Sequence, residues 1–107
     1  MARPRVTVDV FRAVSDPTRR ELLEMLSSDD LPVTTLAESF QMSLPAISQH
    51  LKVLREAGLV EEQRDGRYRV YRLVPGPLKE VADWVDHFER FWKARLKKLG
   101  DHLERNS

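Results

Sequence analysis

The strongest constraint on the fold of this chain is an amphipathic helix that ends directly before a hairpin signal. Over Leu44–Ala57, apolar residues recur at Ile47, Leu51 and Leu54, and this spacing of four and three places all three on one helical face. Gly58 is expected to end the helix as a C-cap glycine, because glycine adopts the left-handed conformation without steric cost. One side of this helix is therefore expected to be buried and the other exposed.

A hairpin is predicted directly after this helix. Asp65-Gly66 separates two β-compatible runs, Leu59–Arg64 and Arg67–Val74, and this dipeptide is typical of a two-residue type I′ turn. Such a turn sets Arg64 opposite Arg67, Glu62 opposite Arg69 and Val60 opposite Tyr71. The last two pairs join opposite charges and apolar surfaces, which favours this register.

Two further helices are expected near the start of the chain. A short helix at about Val8–Val14 is followed by Ser15-Asp16-Pro17. Ser15 or Asp16 can cap a second helix, and proline is tolerated in its first turn, where its missing N–H would have no partner. The second helix is expected to run to about Ser27.

A short strand, a helix and a turn are predicted between the second helix and the amphipathic one. Leu31–Val33 carries proline and is too short for a helix, so we expect a brief edge strand. Thr34 or Thr35 is expected to cap the next helix, with Glu38 as the capping-box partner of Thr35. Gln41–Ser43 then forms the turn, and its serine caps the amphipathic helix.

The end of the chain carries a long apolar seam on a predicted last helix. Its apolar residues recur at spacings of three and four over about 37 Å. An exposed seam of this length would be an aggregation hazard, so we infer that it packs against the same helix of a second subunit, with part of the first helix. The expected dimer-interface residues are Val10, Phe11, Val14, Leu78, Val81, Trp84, Val85, Phe88, Phe91, Trp92, Leu96, Leu99 and Leu103.

The aromatic residues Trp84, Phe88, Phe91 and Trp92 cluster within this seam. They are interpreted as the core of the dimer contact. The alternative is a pocket for a small apolar effector at the subunit interface.

This order of elements predicts a mainly α fold of the α+β class: a winged helix-turn-helix with a β-hairpin wing and a long C-terminal dimerisation helix. The length suits a single domain over residues 1–107. Within it, we expect the helix-turn-helix at about residues 34–58, the wing at 59–74 and the C-terminal helix at 77–103.

The polar side of the amphipathic helix and the arginines of the hairpin indicate binding to double-stranded DNA. Gln49 can make a bidentate contact with adenine, and Ser48 can bond to base edges. Lysine and arginine farther along the helix suit phosphates, and an Arg-tipped ribbon can straddle the backbone or enter a narrow minor groove. The candidate DNA-binding residues are Ser43, Leu44, Pro45, Ala46, Ser48, Gln49, His50, Lys52, Arg55, Arg64, Arg67, Tyr68 and Arg69.

Some of these residues allow a second interpretation. His50 borders the buried stripe, so an orienting role in the packing and a phosphate contact are both open. A winged-helix module that binds protein is the alternative function, but it predicts an apolar patch where this sequence has Ser48 and Gln49. Neither an acid–His–nucleophile set, nor a phosphate loop, nor a metal quartet is visible, so no enzyme activity, no catalytic residue and no cofactor are expected.

Composition excludes several classes of site. Cysteine is absent, which excludes disulfides, thiolate-bound metals and thiol nucleophiles. The net charge is only +1, so the local clustering of arginine matters more than the total. No apolar run is long enough to span a membrane, and Met1–Arg5 lacks the apolar stretch of a secretion signal. Both ends, Met1–Arg5 and Glu104–Ser107, are expected to be frayed.

Three stretches of the chain resemble the ArsR (arsenic-repressor) family of bacterial regulators. They are Phe11–Arg20 (FRAVSDPTRR), Ile47–Val60 (ISQHLKVLREAGLV), and Asp65-Gly66-Arg67 with Tyr71-Arg72-Leu73. The resemblance implies a cytoplasmic, homodimeric repressor that leaves its promoter when an effector binds. It also implies that Ser48 and Gln49 contact bases, with Leu44–Ala46 nearby, and that the outer helices build the dimer.

The sequence departs from the metal-sensing members that it resembles. Without cysteine it lacks their thiolate sites. Their other known site uses Asp and His of the last helix, where this chain offers Asp83, Asp86, His87 and His102. His87 and His102 would lie about 22 Å apart along one helix, so one subunit cannot join them. No metal is expected, and an antiparallel crossing of two subunits is the open alternative.

Overall fold

The computed structural model describes residues 8–105, with side chains through residue 103. The described part holds α1 (Val10–Ala13), α2 (Pro17–Leu26), β1 (Leu31–Pro32), α3 (Val33–Phe40), α4 (Leu44–Glu56), β2 (Val60–Asp65), β3 (Tyr68–Leu73), α5 (Leu78–Asp86) and α6 (Glu89–Arg105). The strands form one antiparallel sheet in the order β1-β3-β2. None of the helices described is long and apolar enough to cross a membrane. The predicted frayed ends lie outside the described residues, except 104 and 105, whose backbone is helical.

The first two helices begin at aspartate caps. The Asp9 carboxylate accepts hydrogen bonds from two backbone N–H groups of α1, so this helix begins at Val10 rather than at Val8. The Asp16 carboxylate accepts from the backbone N–H of Arg19 at 3.0 Å, and Pro17 occupies the first turn of α2. The predicted start of α2 is therefore confirmed, with Asp16 as the cap.

The predicted start of α3 is wrong. The helix begins at Val33, with Pro32 at the N-cap and no side-chain cap bond, so neither Thr34 nor Thr35 caps it. Val33 is buried in the core as a helical residue, which shortens the predicted edge strand to Leu31–Pro32. That strand does lie at the edge of the sheet, where it pairs with β3.

The apolar stripe of α4 is buried as predicted. Ile47, Leu51 and Leu54 are 0% exposed and lie in one core cluster with leucines of α2 and α3. The N-terminus of α4 is capped by Ser43, whose hydroxyl accepts from the backbone N–H of Ala46 at 3.3 Å. These contacts fix which side of the helix faces the solvent.

Both helices of the helix-turn-helix, α3 and α4, end next to a residue in the left-handed conformation. Gly58 follows α4 with φ +77°, and the backbone N–H of Leu59 reaches the carbonyl of Leu54 at 2.9 Å, the Schellman pattern. At the turn between α3 and α4, Gln41 adopts φ 52°. Glutamine has a side chain that crowds the backbone in this conformation, so the tight turn is strained.

The hairpin forms, but its turn and register differ from the prediction. The structure pairs Asp65 with Tyr68, Arg64 with Arg69, Glu62 with Tyr71 and Val60 with Leu73. The turn residues are therefore Gly66 and Arg67. Gly66 has φ +62°, whereas Arg67 does not have a positive φ, which matches the type II′ pattern rather than type I′. Each partner shifts by two residues, so every side chain keeps its predicted face.

The single last helix predicted for residues 77–103 is two helices. The backbone N–H groups of His87 and Phe88 bond to carbonyls three residues earlier, at 3.2 and 2.9 Å. These tighter bonds end α5 at Asp86, and α6 starts at Glu89. Neither proline nor glycine lies at this break, and nothing further in the structure explains it.

Some residues predicted at the dimer interface belong to the core of the single chain. Val10 is only 4% exposed, so it has little surface left for a second subunit. Leu78 and Val81 are partly buried against the same core. The remaining seam stays on the outside: the predicted interface residues from Trp84 to Leu103 are all exposed.

Replacing Gln41 by glycine is expected to stabilise the fold by about 0.5–1 kcal/mol, because glycine adopts the left-handed conformation without crowding the backbone. Gln41 is exposed, so its side chain contributes little packing that would be lost. Urea denaturation measures the change. As a control, Glu38→Gly on the exposed side of α3 should cost about 1 kcal/mol; a Gln41→Gly protein destabilised to the same extent would contradict the strain.

Candidate nucleic-acid interface

One open groove joins the polar side of α4 to the inner face of the hairpin. Its floor and walls are shared by a helix and by β3, so the two elements present one continuous surface. Seven residues line it: Pro45, Ser48, Gln49, Lys52, Arg55, Arg69 and Tyr71. Five of the seven are predicted DNA-binding residues on α4, one is a predicted wing arginine, and Tyr71 was not among the candidates.

The α4 side of the groove is polar and accessible. Gln49 and Lys52 are exposed, and Ser48 is partly exposed. The start of the helix adds Leu44 and Pro45, both exposed, with the smaller Ala46 partly exposed beside them. The hydroxyl of Ser43 is occupied by its cap bond, although the residue itself is exposed.

The hairpin places its basic residues in two different settings. Arg64, Arg67 and Tyr68 are exposed at or beside the turn. Arg69 instead turns toward α4, where its guanidinium donates to the hydroxyl of Ser48 at 3.5 Å. The hairpin therefore contributes Arg69 to the groove and exposes its other basic residues near the turn.

Glu62 does not line this groove, but it contacts three residues that do, and the sequence did not single it out. Its carboxylate accepts a hydrogen bond from Arg55 at 2.9 Å and lies 3.9 Å from the guanidinium of Arg69. The hydroxyl of Tyr71 donates to the same carboxylate at 3.2 Å. One acidic side chain on β2 thus contacts α4 and β3 together. Only the predicted Glu62–Arg69 pairing gave a signal for it, because the contact with α4 joins a helix to the strand that follows it, across the turn at Gly58.

Burial raises the pKa of the Tyr71 hydroxyl, and the neighbouring Glu62 carboxylate raises it further. Both effects disfavour a phenolate, burial by removing water and the carboxylate by charge repulsion. The hydroxyl is therefore protonated at neutral pH and serves as a hydrogen-bond donor to Glu62.

His50 lies against the corner between α1 and α2. Its Nδ1 is 3.3 Å from the guanidinium of Arg19 and 3.9 Å from the carboxylate of Asp16. Arg19 also donates to the backbone carbonyls of Ala13 and Arg12 at the end of α1. The structure thus packs His50 toward the body of the protein, while Ser48, Gln49, Lys52 and Arg55 form a polar strip on the outer side of the same helix.

The cap bond from the backbone N–H of Arg19 lowers the pKa of the Asp16 carboxyl below its usual value of 3.8, and the charges of Arg19 and His50 act in the same direction. Partial burial opposes this shift without reversing it. The ionised cap is therefore favoured by the fold.

The acidic and histidine residues of the last helices do not form a cluster. Within the part of the chain that the structure describes, no group of three or more His, Cys, Asp or Glu residues is placed to hold a metal ion. Asp86 and His87 border a shallow surface depression together with Glu89 and Arg90.

Comparison with known proteins places this geometry in a family. The model for bacterial regulatory proteins of the arsR family matches residues 16–62. The transcriptional repressor SdpR of Bacillus subtilis (strain 168) is 38% identical over 80 residues, which cover 75% of this chain and 89% of that protein. The chain belongs to the ArsR family. It is accordingly a DNA-binding transcriptional regulator, and the family is one of regulators and not of enzymes.

Solved structures agree with this assignment. An ArsR-like transcriptional regulator from Rhodococcus sp. RHA1 matches with a TM-score of 0.69 and 35% identity, covering 89% of this chain and 87% of that one. The solution structure of a homodimeric winged helix-turn-helix DNA-binding domain from Mycobacterium bovis matches with a TM-score of 0.62 and 26% identity, covering 76% and 75%. The predicted family and the predicted winged helix-turn-helix fold of this ArsR-family regulator are confirmed.

Replacing Asp16 by asparagine should keep the cap bond and remove the charge. Because the folded pKa of Asp16 lies below 3.8, its contribution to stability is present above pH 3.8 and is lost as the pH falls through the folded pKa. The wild-type protein should therefore have the larger free energy of unfolding at neutral pH, and the two proteins should converge below pH 3.8. Urea denaturation at a series of pH values measures both quantities.

Asp16→Ala is the matched control, since it loses the cap bond as well and should cost about 1 kcal/mol at neutral pH. A constant difference between wild type and Asp16→Asn from neutral to acid pH would contradict the role of the charge.

Proposed function

We propose that the protein is a cytoplasmic, homodimeric repressor that binds an inverted-repeat operator, with α4 of each subunit in the major groove. The polar strip of α4 carries this proposal. Gln49 and Lys52 are exposed on one side of the helix, while the apolar stripe on the other side is completely buried. In a helix fixed in this way, only the polar side is accessible to a partner. The two-fold symmetry of the dimer would be mirrored in an inverted repeat of the operator.

Base reading falls to the first half of α4. The amide of Gln49 has the donor and acceptor needed for a bidentate bond with adenine, and the hydroxyl of Ser48 suits either kind of base edge. Leu44, Pro45 and Ala46 lie at the N-terminal end of α4, where their apolar side chains suit contact with thymine methyl groups.

Phosphate contacts are assigned to residues at the edges of the groove. Lys52 on α4 and Arg64, Arg67 and Tyr68 around the hairpin tip are exposed and free of the groove's internal ion pairs. The first backbone N–H groups of α4, beside Ser43, suit a phosphate oxygen. These contacts would set the register of α4 on the duplex.

His50 is assigned an orienting role rather than a phosphate contact. Its side chain is only 22% exposed, and its ring faces Arg19 and Asp16 of the protein body. In this position it would hold the middle of α4 against the α1–α2 corner, next to the base-reading Gln49.

Binding of a protein at the same surface is the competing function. It would need an apolar patch on the strip. Among the residues described, the large exposed apolar residues near the groove are only Leu44 and Tyr68, and the others lie on α5, on α6 and at the break between them. The distribution of apolar surface therefore favours DNA at the groove and protein at the last two helices.

Two substitutions separate base reading from phosphate binding. Gln49→Ala should cost about 1–3 kcal/mol on a duplex selected from a random pool and little on random DNA. Arg67→Ala should weaken both complexes alike and reduce the magnitude of the log–log salt slope, expected near −6 for about 6–8 phosphates in the wild type. Fluorescence anisotropy at several salt concentrations measures all of these values.

Equal losses on both duplexes for Gln49→Ala would remove its base-reading role. A wild-type affinity that hardly changes with salt would favour the protein-binding alternative, because phosphate contacts release counterions.

The second subunit is expected on the apolar face of α5 and α6. Trp92 is 59% exposed and Leu96 is 66% exposed, a large loss of hydrophobic stabilisation for residues of this size. Phe11 of α1 stacks edge-on against Trp84 at 5.8 Å, so α1 is continuous with this face. The homodimeric winged-helix neighbour from Mycobacterium bovis supports the same assembly.

A small apolar effector stays a prediction from the sequence. A shallow depression lined by Phe91, Trp92, Arg95 and Leu96 is the place on α6 that fits one. The same residues lie in the face assigned to the second subunit, so an effector bound there would compete with the dimer contact or complete it.

Replacing Trp92 by aspartate should convert the dimer to monomers, because a charge cannot be buried unpaired in an apolar contact. Sedimentation measures the change. Lys97→Asp on the polar side of α6 introduces the same carboxylate, with a larger change in net charge, and should leave the dimer intact. A Trp92→Asp protein that still sediments as a dimer would place the interface elsewhere.

A further inference from the structure

Glu62 is an acidic side chain inside a surface that is otherwise suited to phosphates. It is the only acidic residue among the contacts that link α4 to the hairpin in the described part of the chain. Its side chain is 20% exposed, compared with 48% for Arg55 and 41% for Arg69. The carboxylate therefore lies below the two arginines, and they are closer to the surface that faces the solvent.

The three contacts of Glu62 fix its carboxylate in place. One oxygen accepts from both Arg55 and the Tyr71 hydroxyl, at 2.9 and 3.2 Å, and the other lies 3.9 Å from Arg69. Tyr71 is 3% exposed, so its hydroxyl is a rigid donor. A charge-assisted bond to a partly buried carboxylate is stronger than an exposed ion pair.

Two consequences follow for a DNA-binding surface. The two arginines share one negative charge, so together with Glu62 they contribute a net charge of about +1 rather than +2, which weakens attraction to any phosphate backbone. The same carboxylate joins Arg55 on α4 to Arg69 on β3. The carboxylate of Glu62 thereby holds the hairpin at a fixed distance from α4.

We propose that Glu62 is a specificity-determining residue, which holds helix and wing in one arrangement and lowers affinity for random DNA more than affinity for the operator. This inference rests on the proposed function. A fixed wing lets phosphate contacts set the register in which α4 meets the bases. Arginines released from Glu62 could adapt to any duplex, which adds affinity without sequence information.

The experiment compares wild type with Glu62→Gln on a duplex selected from a random pool and on a scrambled duplex. Glutamine keeps the size of the side chain and removes its charge. The variant should bind scrambled DNA about 3–10-fold more tightly, with a log–log salt slope steeper by about 1 for each bound subunit. Affinity for the selected duplex should change by less than about 2-fold, so that the ratio of the two affinities falls.

Glu61→Gln is the matched control. Glu61 is the preceding residue of β2, is exposed, and lies on the opposite face of the hairpin, since successive strand residues alternate. It should leave the affinity ratio unchanged. An equal rise in scrambled-DNA binding for Glu61→Gln would overturn the proposal, because net charge alone would then explain the effect.

A variant that loses affinity for both duplexes by the same factor would also overturn it, since this is the result expected of a merely structural residue. If Glu62→Gln does not fold, Glu62→Asp keeps the charge and shortens the reach, and it should lower the affinity ratio with little change in salt slope. An unchanged ratio for Glu62→Asp would contradict the role of Glu62. A wild-type protein that binds no duplex would overturn the proposed function itself, a result distinct from all of these.

Discussion

Burial of the apolar stripe of α4 fixes the rotation of that helix about its own axis. Ile47, Leu51 and Leu54 have no exposed surface, and turning the helix would expose them at a cost of about 1.5–3 kcal/mol each. The polar strip is therefore held outward by the core rather than by contacts of its own. Ser43 at one end and Gly58 at the other limit sliding along the axis, because each terminus has defined hydrogen bonds.

On this surface, the positions of the charged side chains matter more than the total charge of the protein. The net charge of the whole chain is +1, so the regulator does not depend on a strong overall field to attract DNA. Arg67 and Tyr68 project from the hairpin tip, whereas Arg55 and Arg69 are held inside the groove by Glu62. The surface thus combines exposed cations at its edge with ion-paired ones at its centre.

Local signals in the sequence were sufficient for most of the fold. The caps at Asp16 and Ser43 are read from residue types whose side chains bond to the backbone a few positions away, and the structure contains both. Burial of the α4 stripe follows from its spacing alone. The position of the candidate strip was therefore predictable, because it is the remainder of a helix whose other side is buried.

The misses have different origins, and no local pattern in the sequence marks any of them. Asp65-Gly66 and Gly66-Arg67 both give a two-residue turn, and only the whole ladder of β2 and β3 selects the second. The contacts of Glu62 with Arg55 and of His50 with Arg19 join separate elements, so no local pattern announces them. The break after Asp86 has no proline or glycine that could mark it.

The corner between α1 and α2 contacts both the helix assigned to DNA binding and the face assigned to the second subunit. On one side, Phe11 packs against Trp84 of α5. On the other side, the guanidinium of Arg19 donates to the last carbonyls of α1 and lies within hydrogen-bond distance of His50 on α4. α1 is only four residues long, so it has little capacity to absorb a displacement internally. Through Phe11 and Arg19, this short helix connects the face assigned to the second subunit with His50, the residue next to Gln49.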